Sequence, residues 1–84
     1  MPYILEFVYV VLKGRTPKIS IDLINRQVSP SLNELYNAIS YIKLHGTEQL
    51  LRDVQSNREQ LEELGVTLNV TDDLVTIERK RDEV

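Results

Sequence analysis

Apolar residues fall in regular patterns along this chain, and the period of the pattern changes between segments. From Tyr3 to Leu12 every residue except Glu6 is apolar or aromatic. Tyr3, Ile4, Phe7, Val8, Tyr9, Val10 and Val11 make the stretch rich in β-branched and aromatic side chains, which predicts a strand. Lys13-Gly14-Arg15-Thr16-Pro17-Lys18 predicts a turn, because Gly14 admits positive φ and Pro17 cannot donate to a ladder. Ile19 to Arg26 then alternates. Ile19, Ile21 and Leu23 point one way, Ser20, Asp22 and Arg26 the other, and Ile24 breaks the pattern. The segment reads as a half-buried strand, the hairpin partner of the first.

Beyond Ser29-Pro30-Ser31 the period becomes helical. Ser31 with Glu34 three residues on has capping-box spacing. Alternatively Ser29 is the cap and Pro30 takes the first helical position. Leu32, Leu35, Ala38, Ile39 and Ile42 form one stripe, and Gly46 suits a helix end. Thr47 suits a fresh N-cap with Glu48 at the positive end of the dipole. Leu50, Leu51, Val54, Leu61 and Leu64 make a second stripe, which Gly65 ends. Two helices are expected over 31–64, and one helix running through Gly46 is the alternative. After Gly65 the period is two: Val66, Leu68 and Val70, then Val75 and Ile77, around the turn chemistry of Thr71-Asp72-Asp73. Residues 80–84 are charged and are expected to fray.

The expected order is β-β-α-α-β-β, an α+β two-layer domain with antiparallel hairpins and a helical pair. At 84 residues the whole of 1–84 is expected to form a single small domain, marginal in isolation and helped by oligomerisation. The absence of cysteine excludes a disulfide framework, a thiolate metal site and a cysteine nucleophile. One histidine excludes a two-histidine metal site. The apolar run at 3–12 is too short to span a bilayer as a helix. It has neither a basic leader nor a small-residue cleavage site, so a cytoplasmic protein without membrane attachment is expected. The formal net charge is −3, against general attraction to phosphate backbones. The charge is uneven: residues 1–46 hold five basic and three acidic groups, and 47–84 hold five basic and ten acidic.

Individual residues carry little recognisable chemistry. His45 lies at an expected helix end, where a cation suits the dipole, and no nucleophile accompanies it. Asp72-Asp73 suits a hairpin tip and Glu62-Glu63 a solvated helix face, so neither pair points to a metal or to acid–base work. Tyr36, Ser40 and Lys43 share one helix face without a sign of an activated lysine. Tyr3, Phe7 and Tyr9 would share one face of the first strand, which resembles a stacking platform in outline but lies among apolar neighbours. No catalytic residue, cofactor or metal is expected, and no enzyme.

The doubly apolar first strand is the most informative feature. A strand apolar on both faces needs cover on both, and a small helical pair covers one. The second face, Ile4, Val8, Val10 and Leu12, is therefore expected to meet another copy of the chain or a protein partner. The expected function is a small intracellular protein–protein interaction or assembly module, acting as a homo-oligomer. The alternative is a nucleic-acid-binding regulator that gathers Lys13, Arg15, Lys18 and Arg26 into a basic hairpin. A helix-then-hairpin outline over Thr47–Arg81 also has the order of a winged helix. Its would-be recognition helix carries Glu48, Asp53, Glu59, Glu62 and Glu63 against Arg52 and Arg58, which disfavours DNA.

Overall fold

The computed structural model describes residues 3–80. The elements run α1 (Ile4–Leu12), β1 (Lys18–Asp22), β2 (Gln27–Ser29), a 3₁₀ turn (Asn33–Leu35), α2 (Tyr36–His45), α3 (Glu48–Ser56), α4 (Arg58–Glu63), β3 (Val66–Val70) and β4 (Leu74–Arg79). The chain is mixed α+β, with a four-stranded antiparallel sheet in the order β2-β1-β4-β3. From Lys18 onward the expected order of hairpin, helices and hairpin holds, and a helix stands in front of it.

That first helix corrects the strand expected over Tyr3–Leu12. Ile4, Phe7, Val8 and Val11 follow the i, i+3, i+4, i+7 spacing of one helical face, and all four are buried, with Val10 beside them. Glu6 lies in the first turn, at the favourable end of the dipole. Gly14 at φ +79° closes the helix: its N–H donates to the Val11 carbonyl, and the Arg15 N–H donates to the Val10 carbonyl. This double bond pattern is a Schellman cap, which requires the left-handed residue. Each β-branched residue costs at most about 0.7 kcal/mol of helix propensity, whereas burying its side chain contributes about 1.5–3 kcal/mol. Packing therefore overrides propensity. The helix lies against β1, β3 and β4 and against α2, α3 and the 3₁₀ turn, so the chain itself supplies the cover that a doubly apolar segment needs.

The hairpins also move. The expected strand Ile19–Arg26 ends at Asp22, and the hairpin partner of β1 is β2, with Ile21 opposite Val28. The Asp22 carboxylate makes the turn, accepting from the Ile24 and Asn25 N–H groups and from the Asn25 side-chain amide, each at 2.9 Å. Arg26 takes φ +54°. The second hairpin forms as expected: Thr71 N–H donates to the Leu74 carbonyl and Thr71 Oγ1 bonds Asp73 Oδ1 at 3.0 Å. In register, Leu68 faces Ile77, Ile77 faces Ile19, and Ile21 faces Val75. These residues, with Val28 and Val66, form the buried side of the sheet. Lys18, Ser20, Thr67, Asn69, Thr76 and Glu78 share the other side, which is polar except for the partly exposed Leu74 at its end.

Gly46 at φ +88° separates α2 from α3, so the expected break between helices falls there and no single helix runs through it. A further break falls at Asn57, where φ is −120° and ψ 19°, and its side chain donates to the Asp53 carbonyl. Neither serine caps α2 in the expected way. The 3₁₀ turn has Leu32 in extended conformation before it and no side-chain cap. Thr47 does not cap α3 either, because its hydroxyl turns to the Leu23 carbonyl at 3.4 Å. Leu50, Val54 and Leu61 are buried as expected, while Leu64, just beyond α4, is exposed. Of the expected frayed tail only Lys80 lies within the described residues. Its N–H donates to the Gly65 carbonyl and its Nζ to the Glu62 carbonyl.

Candidate interaction surfaces

The residues expected to meet a second copy occupy a different place. Ile4, Val8 and Val10 are 1%, 0% and 5% exposed and lie within the chain's own core. Leu12 is half-buried against that core, with its Cδ2 close to Gly65. The expectation for these four rested on a strand with an uncovered face. A helix enclosed by sheet and helices leaves no such face.

Of the four basic candidates, Arg15 and Arg26 are engaged through their side chains. Lys13 follows α1 as its C-cap. Arg15 pairs with Glu34 at 2.8 Å. Lys18 opens β1 directly opposite Glu78. Arg26 sits in the turn at the far end of β1, where Nη1 donates to the Lys43 carbonyl at 3.2 Å and completes the C-terminal end of α2. In the helix-then-hairpin outline over Thr47–Arg81, the last hairpin joins the main sheet, with β4 between β3 and β1.

The remaining candidates resolve into local structure. Tyr3 stacks on Tyr41 with ring centroids 4.1 Å apart, and Tyr41 meets His45 at 4.5 Å. His45 thus extends an aromatic stack that ties α2 to the start of α1. Phe7 is buried and Tyr9 exposed, so the tyrosines and Phe7 share no platform. Glu62 is not merely solvated. Its Oε2 accepts the Leu68 N–H at 3.4 Å, and Arg58 Nη2 donates to the Leu68 carbonyl at 2.6 Å. Arg58 and Glu62, one helical turn apart, bond each other and together close the outer side of edge strand β3. Among the described residues no three His, Asp or Glu side chains gather as a metal would require.

Two apolar features remain open. The first is a groove of about 230 Å³ between α1 and α4, lined by Ile4, Leu5, Leu61 and Leu64 with Asn57 and Gln60. The second is the outward face of α2. Ala38 and Ile42 turn inward, and Tyr36, Ser40 and Leu44 form a row at i, i+4, i+8 on the opposite side. Tyr36 is 72% and Leu44 77% exposed. Beside the row runs a groove of about 160 Å³ lined by Leu32, Tyr36, Ile39, Ser40 and Lys43, with Ser31 and Asn33 at its end. Ile24, 70% exposed, lies in the β1–β2 turn that Arg26 fastens to the end of α2. Leu44 lies off the buried face and so outside the apolar stripe of α2. Its signal was an apolar residue two turns from Tyr36 on the polar side.

No protein-family model matches the chain, and no curated protein or solved structure matches it. Among the described residues no helix is long and apolar enough to cross a membrane.

Proposed function

We propose that this chain is a small cytoplasmic protein–protein interaction module that works as a homo-oligomer and has no catalytic chemistry of its own. One observation carries the reading: Tyr36 and Leu44 stand out from α2 as large exposed apolar side chains, while Ala38 and Ile42 anchor the helix to the core. Large apolar side chains that share an exposed face favour association, and tyrosine is enriched where protein surfaces meet. In a two-layer arrangement, with helices on one side of the sheet, the opposite sheet face meets solvent with mostly polar side chains, Leu74 excepted. The absence of cysteine accords with a reducing compartment.

Sedimentation equilibrium from about 1 to 500 μM tests the reading, since association must follow mass action. A rising weight-average mass supports it. A monomer over the whole range, with no protein partner recovered by cross-linking in cells, refutes it. Nucleic-acid binding is the competing reading. It requires an affinity that falls steeply between about 50 and 200 mM salt. Because Arg15 and Arg26 are already engaged, no such binding is expected.

A further inference from the structure

We infer that Arg58 and Glu62 form an autoinhibitory clamp on β3. They occupy the sheet edge that otherwise accepts the same strand of a second copy, and opening the clamp lets copies join edge to edge. The ladder defines the edge. Gly65 and Thr71 bond across to Lys80 and Leu74. By antiparallel alternation the odd-numbered residues of β3 therefore face β4, while Val66, Leu68 and Val70 direct their N–H and carbonyl groups outward. Leu68 is the middle of those three. Its carbonyl accepts from Arg58 Nη2 at 2.6 Å, and its N–H donates to Glu62 Oε2 at 3.4 Å. One donor and one acceptor thus meet the central residue of the edge, where the N–H and carbonyl of a docking strand would lie.

Helix α4 does not explain the order of the pair. Arginine before glutamate at i, i+4 is the weaker arrangement within a helix. Arg58 is the first residue of α4 and Glu62 lies in its last turn, each against the dipole. Their mutual contact is loose at 3.7 Å, whereas Arg58 meets the strand at 2.6 Å. The strand supplies the reason. Leu64 to Thr71 contains no charged residue and no proline, and Val66-Thr67-Leu68-Asn69-Val70-Thr71 is a run of six with four β-branched side chains. An uncharged run of that length and composition stacks with copies of itself, and an outer strand presents it for that pairing. α4 lays across its midpoint the two charges that the run lacks. The occupant of the opened edge is the same run from a second copy, because the composition that needs guarding is one that pairs with itself. The opposite edge is protected by length: β2 spans three residues, and Pro30, which has no N–H to offer, follows it.

Arg58→Ala combined with Glu62→Ala opens the clamp. At about 5 μM the double variant should keep the wild-type circular dichroism spectrum, and its Leu68 amide should exchange about tenfold faster than in the wild type. At about 500 μM it should sediment as species heavier than the wild type at the same concentration. The Val66, Leu68 and Val70 amides should then gain protection, since a joining strand bonds what the clamp released. Glu62→Gln keeps an acceptor for the Leu68 N–H and should behave as the wild type. Adding Asn69→Lys to the double variant should abolish the association, because it puts a charge into the run. Adding Leu44→Lys should leave it unchanged, which separates this edge from the exposed face of α2. If the double variant loses the native spectrum, Arg58→Ala alone is read by the same measurements. A folded variant that sediments as the wild type does at about 500 μM, with β3 amides that gain no protection on concentration, overturns the inference. So does an association that Leu44→Lys removes and Asn69→Lys does not. Whether the wild type itself associates bears on the proposed function and not on the clamp.

Discussion

Val8 separates a residue of the chain's own core from a residue at an interface. It is fully buried in α1, against sheet and helices. Val8→Ala removes two methyl groups, about 1.6 kcal/mol of transfer free energy at ~0.8 kcal/mol per buried carbon, and leaves a cavity whose cost adds to that. Alanine returns up to about 0.7 kcal/mol of helix propensity. The net loss expected is about 1.5–2.5 kcal/mol, against a total stability of about 4–13 kcal/mol for a chain of this length. Urea melts followed by circular dichroism measure it directly. The loss relative to wild type should be the same at about 5 and 200 μM protein, because only a residue at an interface contributes through mass action. Val8→Lys should unfold the chain at both concentrations, since among the described residues no buried polar or charged side chain lies in the core to receive an ammonium. A Val8→Ala loss under about 0.5 kcal/mol, or one that grows on dilution, would refute the placement of Val8 in this core.

Three further outcomes follow from local geometry. Gly14→Ala should cost about 1–2 kcal/mol by urea melt, the penalty of holding an L-residue at φ +79°; the new Cβ meets the flexible Arg79 guanidinium at 3.3 Å, which can give way. The Asp22 carboxyl is held below its ordinary value of 3.8, first by the Asn25 N–H, then by the Asn25 side chain and the Ile24 N–H. Its contribution is complete above that value and is lost as pH falls through the lower folded value, so Asp22→Ala should flatten the acid limb of the stability profile below about pH 4. An unchanged slope between pH 2 and 4 would contradict this assignment. Arg58→Ala should cost about 1 kcal/mol, because the pair is partly exposed, and should speed hydrogen exchange at the Leu68 amide relative to Val75 in β4.

The second half of the chain was the more legible in the sequence. Val66, Leu68, Val70, Val75 and Ile77 alternate without interruption, and the Thr71-Asp72-Asp73 turn has chemistry of its own, so period and turn agree. Tyr3–Leu12 carried two conflicting signals. Its β-branched residues favour a strand, while Ile4, Phe7, Val8 and Val11 keep helical spacing and Gly14 stands where a helix ends. In a run apolar almost throughout, neither period is visible, and only the neighbours that pack on it decide. Taking 3–12 as a strand made Ile19–Arg26 its partner and concealed the turn that Asp22 and Asn25 announce. It also supplied the supposed uncovered face. The α2 surface was hidden for a related reason: stripe analysis seeks residues that agree with the core, and Leu44 is informative because it does not.

Where a chain of this shape can associate depends on which surfaces it has already closed. A sheet in the order β2-β1-β4-β3 has two edges, and a bare edge invites another strand. β2 is three residues long, too short to template much pairing. On β3 the outward N–H and carbonyl of Leu68 are held by Glu62 and Arg58, as a neighbouring strand would hold them, and a competing strand would first have to displace both. The face between the edges is mostly polar, with Leu74 at one end as its exposed apolar side chain. Leu44 is treated differently. It contributes little to the fold at 77% exposure, and a lysine or glutamine there would satisfy the helix equally well. Tyr36 and Leu44 are therefore the large apolar groups that association through α2 would cover.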